Sequence, residues 1–247
     1  PTTPQHGLIV DVGSTTIDII PINTQGVATR STTDSQRLRR RELIYTGVER
    51  SNLAGLLRSV PLFGKRCPVM NEQFATTRDA YVWLKHLPEA HDDCQTADGR
   101  PATRVGTRYR LARIVGEDGS TLTDADIDAI ATAVLRAQCR LLTRSMSTVM
   151  QRIAKARNGR MQPASSPAPS GRQRKVAATQ SPSLEDGLLI LSGHGGFLVD
   201  SALQGELRGR MGTLAPLRLA DQLGPELSRC APAYAVAMLA AETKFPA

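Results

Sequence analysis

The sequence predicts a soluble α/β protein. Three observations carry that expectation. Two apolar runs flank a small hydroxyl-rich turn in LIVDVGSTTIDIIPI, residues 8–22. A ~30-residue amphipathic helix starts near Thr123. A buried strand, residues 188–191, opens into a glycine turn and then a helix.

Taken in order, residues 7–22 read as a β-hairpin turning at Ser14-Thr15. That register sets Asp11 opposite Asp18 on one face of the ribbon. ELIYTGV, residues 42–48, is a short strand ended by Gly47. Residues 51–58 form one or two helical turns, cut off before Pro61, and residues 66–75 are irregular or extended. TTRDAYVWLKHLP then starts a helix, with Thr76 or Thr77 as N-cap and Pro88 as the stop. Residues 89–106 lose all apolar periodicity and read as a surface loop. Its TADGRPAT segment suits a polar ligand, or bonds the loop to itself. Thr123 and Asp126 form a capping box for the long helix. Ile127, Ile130, Val134, Leu141, Val149 and Ile153 give that helix its apolar stripe as far as residue 156. A helix of this length serves equally as core or as a homodimer seam. CAPAYAVAMLAAE, residues 230–242, is a small-residue helix with Pro232 in its first turn.

Composition narrows the class. The chain has 247 residues, 40% apolar and 22% charged, enough for a substantial core. No apolar run spans a bilayer, so no membrane is expected. The four cysteines show no CxxC spacing and fit a reduced, cytoplasmic protein. The net charge of +8 invites nucleic acid, but Lys155, Arg157, Arg160, Arg172, Arg174 and Lys175 supply six of those charges without an intervening acid. They lie in or beside a Pro/Ser-rich insert, residues 157–182, expected to be a solvated loop and not a basic binding face. No nucleic-acid partner follows, and with 4% aromatic residues there is little to stack bases. The insert divides the chain into residues 1–156, 157–182 and 183–247.

The chemistry concentrates at two glycine turns. D-x-G-S-T-T-x-D, residues 11–18, offers backbone amides and the hydroxyls of Ser14, Thr15 and Thr16 beside Gly13. Such groups wrap phosphate oxygens. Asp11 and Asp18 would repel a phosphate unless a hard cation such as Mg²⁺ lies between. The plainer alternative is a hairpin whose aspartates form the turn and face water. LSGHGG, residues 191–196, places backbone donors and a helix start where an anion can lie. It lacks the lysine and spacing of a Walker A loop and the GxGxxG pattern. His194 is a candidate ligand contact or a structural histidine.

Together the hairpin, the long helical region and the later strand–SGxG–helix resemble the second half of the acetate kinase, sugar kinase, heat-shock chaperone and actin (ASKHA) superfold, a ribonuclease H-like α/β fold. VDVGSTTIDIIPI, ELIYTGVERSNLAGLLRSVP, VMNEQFATTRDAYVWL, TADGRPATR, LSGHGGFL and CAPAYAVAMLAAE are similar to the hydantoinase/oxoprolinase-related proteins of tetrahydromethanopterin-linked one-carbon metabolism. That family includes the methanofuran-synthesis enzyme making a furan–tyramine ether. The resemblance implies condensation of an aminomethylfuran-methyl diphosphate with tyramine or glutamyl-tyramine, releasing pyrophosphate. It implies Asp11 and Asp18 at the metal–diphosphate end, Ser14, Thr15 and Thr16 on phosphate oxygens, and Gly193 and Gly195 on the opposite wall. It offers Asn71, Glu72, Thr76, Thr77, Arg78 and Asp79 for the substrate cleft, with Arg78 as a phosphate clamp. The plainer role for Arg78 and Asp79 is a helix-start ion pair. An ATP-dependent kinase or hydantoinase-like enzyme, or a non-catalytic subunit of the same fold, would use the same loops. Members of the superfold carry an earlier D-x-G-G loop, absent here before residue 8. The expectation is a missing N-terminal half, or a partner chain, without which this piece is inactive.

Overall fold

The computed structural model describes residues 6–160, 187–205, 207 and 216–242. The insert expected at 157–182 therefore lies outside the described residues, save for a helix end. β1 (His6–Val12) and β2 (Ile17–Asn23) pair antiparallel, with Asp11 opposite Asp18 as expected. Their buried positions alternate, with Leu8, Val10, Val12, Ile17 and Ile19 all sealed from solvent. β3 (Gly26–Val27) extends β2, and α1 (Asp34–Arg39) follows with Thr33 as N-cap. β4 (Leu43–Ile44) also pairs with β2, so the strand expected over 42–48 is shorter, its remainder forming a loop. α2 (Leu53–Leu56), capped by Asn52, leads to a separate two-stranded sheet of β5 (Ser59–Leu62) and β6 (Lys65–Pro68).

α3 (Thr77–Trp83) settles the capping ambiguity: Thr76 is the N-cap, and the Asp79 side chain completes a capping box with it. The helix ends at Leu84, before Pro88. α4 (Arg104–Arg113) overlaps the end of the segment expected to be a loop. α5 (Asp124–Arg160) runs four residues past the expected end at 156. β7 (Leu188–Gly193) enters the first sheet parallel to β1, followed by α6 (Gly196–Gln204). β8 (Leu217–Arg218) pairs with β7, and α7 (Leu219–Leu223), α8 (Pro225–Arg229) and α9 (Ala231–Glu242) close the described chain. The main sheet has the order β3-β2-β1-β7-β8, with β4 also on β2, giving a mixed sheet and a mixed α/β fold.

α5 explains why it is so long. Its first half gives Ile127, Ile130, Ala131, Val134 and Ala137 to a core shared with α2, β5, α3 and α4. Its second half gives Leu142, Met146, Val149 and Met150 to a core under the main sheet and α6. The buried positions follow helical spacing. Leu141, expected in that stripe, is instead exposed, and its neighbour Leu142 takes the core position. No helix among the described residues is long and apolar enough to cross a membrane.

Candidate functional site

The hairpin tip is closed by its own backbone. Gly13 N–H donates to Thr16 O at 3.0 Å, which turns the chain at Ser14-Thr15. The hydroxyl of Thr16 donates to Asp18 Oδ2 at 3.4 Å, and those of Ser14 and Thr15 lie together at 3.4 Å, half exposed. Asp18 also receives Arg37, from α1, so one of the two facing carboxylates has a counter-ion.

The loop after β4 braces this tip. Val48 N–H donates to Gly13 O, and Glu49 and Arg50 N–H both donate to Ser14 O, each at 3.0 Å. Gly47 packs so closely that a Cβ there would stand 2.4 Å from Ser14 C and Thr15 N. Three side chains hold Gly47 O: Thr77 Oγ1 donates at 2.9 Å, Gln138 Nε2 at 2.9 Å and Ser51 Oγ at 3.4 Å. Gln138 also donates to Thr46 Oγ1 at 2.7 Å and accepts from the buried Tyr81 hydroxyl. Thr77 is thus buried support for the tip, and Thr76 caps α3.

The second glycine site lies beside the first. β1 and β7 run parallel with Asp11 in register with Ser192 and Val12 with Gly193, so the hairpin tip and the LSGHGG turn share one edge of the sheet. This is the carboxyl end of a parallel strand pair, where α/β sheets place ligands. Gly193 has φ +79°, and a Cβ would meet Val12 O at 2.3 Å and Asp11 Oδ1 at 2.8 Å. Gly195 N–H donates to Val12 O at 3.1 Å, and its own missing Cβ would strike Val12 Cγ1 at 2.3 Å. Only glycine permits this approach at either position. Burial pushes the Asp11 carboxyl above its ordinary range, and the Asp18 charge adds to this; the Ser192 hydroxyl and His194 oppose it. A half-buried carboxylate facing another favours a nearby cation, which is the chemistry expected of a phosphate-bridging ion. Among the described residues no group of three or more His, Cys, Asp or Glu stands ready to hold a metal by itself.

His194 sits at the turn with Nε2 2.8 Å from Glu49 Oε1, the distance of an ion pair without the alignment of a hydrogen bond. Arg229, at the end of α8, reaches the same Glu49 oxygen at 3.0 Å. The close His194 contact, joined by the Arg229 and Arg78 charges and opposed by burial, holds the Glu49 carboxyl below its ordinary range. Arg78 N–H donates to Glu49 O at 3.3 Å, placing α3 against this loop.

The remaining predicted residues scatter. The helix-start ion pair expected between Arg78 and Asp79 does not form. Arg78 pairs with Asp93 at 2.7 Å, and Asp79 pairs with Arg110 at 2.7 Å. A carboxylate one residue along a helix points away from its neighbour, so each finds a partner on another element. Asp79 is buried, with its oxygens taken by Thr76 N–H, Thr107 and Arg110. Asn71 and Glu72 lie on the exposed loop before α3, where Glu72 bonds the adjacent Gln73 N–H. The TADGRPAT loop bonds to itself: Thr96 donates to Arg100 O at 2.6 Å and Asp98 accepts from Arg100 N–H at 3.2 Å. Sequence reading passed over Glu49, Arg229, Ser192 and Arg37. Glu49 follows directly on the ELIYTGV run, but nothing local marks it as adjacent to residue 194.

A cleft of about 850 Å³ opens at the other end of the sheet, lined by His6, Asn23, Arg40, Glu42 and Arg152 among others. It lies roughly 20 Å from the hairpin tip, the length of the β1 strand. Glu42 gathers much of its charge, taking Thr29 at 2.5 Å and Arg40 and Arg152 each at 3.1 Å. The hairpin end, where glycines bring half-exposed hydroxyls and backbone to one edge, is the stronger candidate.

No family model matches the chain. It is 36% identical over 111 residues to the (4-{4-[2-(gamma-L-glutamylamino)ethyl]phenoxymethyl}furan-2-yl)methanamine synthase of Methanococcus vannielii, covering 45% of this chain and 50% of that protein. It is 30% identical over 145 residues to the synthase of the same name from Methanocaldococcus jannaschii, covering 59% of this chain and 44% of that protein. The chain spans about half the length of the curated relatives it matches.

Proposed function

We propose that this chain acts in methanofuran-type cofactor synthesis, as the diphosphate-handling part of a transferase that joins a furan-methyl carbon to a phenol oxygen. The similarity to two synthases of a phenoxymethyl-furan methanamine carries this reading. The substrates are an aminomethylfuran-methyl diphosphate and tyramine or its glutamyl derivative. The carbon–oxygen bond to diphosphate breaks with its electron pair on the leaving group. The phenol oxygen forms the new carbon–oxygen bond and loses its proton. The products are an aryl-alkyl ether, pyrophosphate and a proton.

Charge builds on the departing diphosphate, so stabilising it is the main task. The backbone and hydroxyls of Ser14 and Thr15 receive its oxygens, with Gly193 and Gly195 on the facing wall of an ASKHA-type site. Arg78, whose guanidinium pairs with Asp93 in this structure, is the clamp expected from the sequence. Asp11, helped by Asp18, would hold a Mg²⁺ that supplies charge neutralisation. The raised carboxyl of Asp11 fits that role, while the Arg37 partner of Asp18 leaves Asp11 as the principal ligand.

The test mixes the full chain with the furan diphosphate, tyramine or glutamyl-tyramine, and Mg²⁺, and measures pyrophosphate release. Isothermal titration with inorganic pyrophosphate runs in parallel. Binding that requires Mg²⁺ and is lost in Asp11→Asn supports the reading. Pyrophosphate binding that ignores Mg²⁺ removes the cation, and consumption of ATP without ether formation supports a kinase instead.

A further inference from the structure

We infer that Glu49 is a positioning residue of this site, tying the hairpin tip, the glycine turn, α3 and α8 together through one carboxylate and its own backbone. Its N–H donates to Ser14 O at 3.0 Å and its carbonyl accepts from Arg78 N–H at 3.3 Å. Its carboxylate lies 2.8 Å from His194 Nε2 and 3.0 Å from Arg229. Four elements therefore meet at a half-buried residue. Main-chain contacts fix it to the tip, and side-chain contacts pull the turn toward that tip. Both ring nitrogens of His194 are buried without an aligned hydrogen bond, so the close Glu49 carboxylate is the polar contact that holds the ring.

This assignment rests on the diphosphate reading for its kinetic consequence. A carboxylate beside an anion site opposes anion binding, and this one also occupies Arg229. Removing the charge therefore leaves pyrophosphate affinity unchanged or tighter while misaligning the turn. Loss of an orienting partner typically costs about ten- to a hundred-fold in rate. A residue with a merely structural role lowers binding and turnover together.

The experiment compares wild type, Glu49→Gln and Glu49→Ala as full chains. Pyrophosphate affinity is read by titration, turnover by pyrophosphate release, and ring environment by NMR of ¹⁵N-labelled histidine. His6, His86 and His91 serve as internal controls. The expected result is a kcat lower by about ten- to a hundred-fold, greater in Ala than in Gln, with pyrophosphate affinity held or improved. The His194 ring signals shift in Glu49→Ala while the other three stay. Unmoved His194 signals overturn the assignment, as does a parallel fall of binding, turnover and melting temperature. If wild type fails to turn over the furan diphosphate but His194 still responds to Glu49→Ala, the functional reading falls and the positioning role stands.

Discussion

Gly193→Ala separates two costs that usually arrive together. At φ +79° an L-residue sits in the left-handed region, which costs about 1–2 kcal/mol. The added Cβ also stands 2.3 Å from Val12 O, a backbone atom locked in the β1–β7 pairing, and 2.8 Å from Asp11 Oδ1. Neither neighbour is the loose end of a flexible side chain, so the clash adds about 1–3 kcal/mol of overpacking. The sum is roughly 2–5 kcal/mol. Gly64→Ala is the control: φ is +71°, and nothing lies within 4 Å of its Cβ position. It carries the backbone cost alone, about 1–2 kcal/mol. Urea denaturation of both variants, with m-values compared, reads the difference. Pyrophosphate release should fall in Gly193→Ala and stay in Gly64→Ala. Equal destabilisation of the two, within about 0.5 kcal/mol, would refute the claim that the turn is pressed against β1.

Arg110 is 1% exposed and pairs with Asp79 and Asp98, so Arg110→Met leaves a buried carboxylate uncompensated and should cost about 3–5 kcal/mol by urea denaturation. Asp79→Leu added to Arg110→Met should recover much of that loss; a double variant no better than the single one contradicts it. Tyr81→Phe removes the donor to Gln138 Oε1, leaving a buried acceptor open at about 1–3 kcal/mol, and because Gln138 holds Gly47 O it should also slow pyrophosphate release. Burial raises the Glu42 carboxyl, but Thr29, Ser31, Arg40 and Arg152 together bring it below its ordinary 4.5. Its stabilisation is therefore complete above pH 4.5 and disappears as pH falls through the lowered folded value, so Glu42→Gln should flatten the acid limb of a urea-midpoint profile.

The parts legible in the sequence are those specified by local chemistry. A two-residue turn and strict alternation left one register for β1 and β2, which is why Asp11 and Asp18 were paired correctly. α5 is legible because its apolar stripe repeats for about seven turns, although Leu141 and Leu142 are adjacent and the stripe alone favours the wrong one. α4 is not legible in the sequence, for a physical reason. Its buried face includes Gly106, Thr107 and Arg110, so a helix with a sealed interior side reads as a polar loop. Arg110 stays buried only because Asp79 and Asp98 reach it from elements 31 and 12 residues away. α1 is six residues with no buried position, too short to leave a periodic trace.

The same division runs through the site. Gly13, Gly193 and Gly195 announced themselves because glycine at a strand end has few other uses. What places them together is not local: β1 reaches β7 across most of the chain, and the support beneath the tip comes from Gln138, 91 residues from Gly47. The family resemblance offers Thr77 for the substrate cleft. Here its hydroxyl is instead turned inward to the Gly47 carbonyl, which it satisfies together with Gln138. A polar side chain near a functional turn thus has two uses, binding what enters or satisfying the backbone that forms the turn. Thr77, Gln138 and Tyr81 take the second, and Ser14 and Thr15 stay half-exposed at the tip.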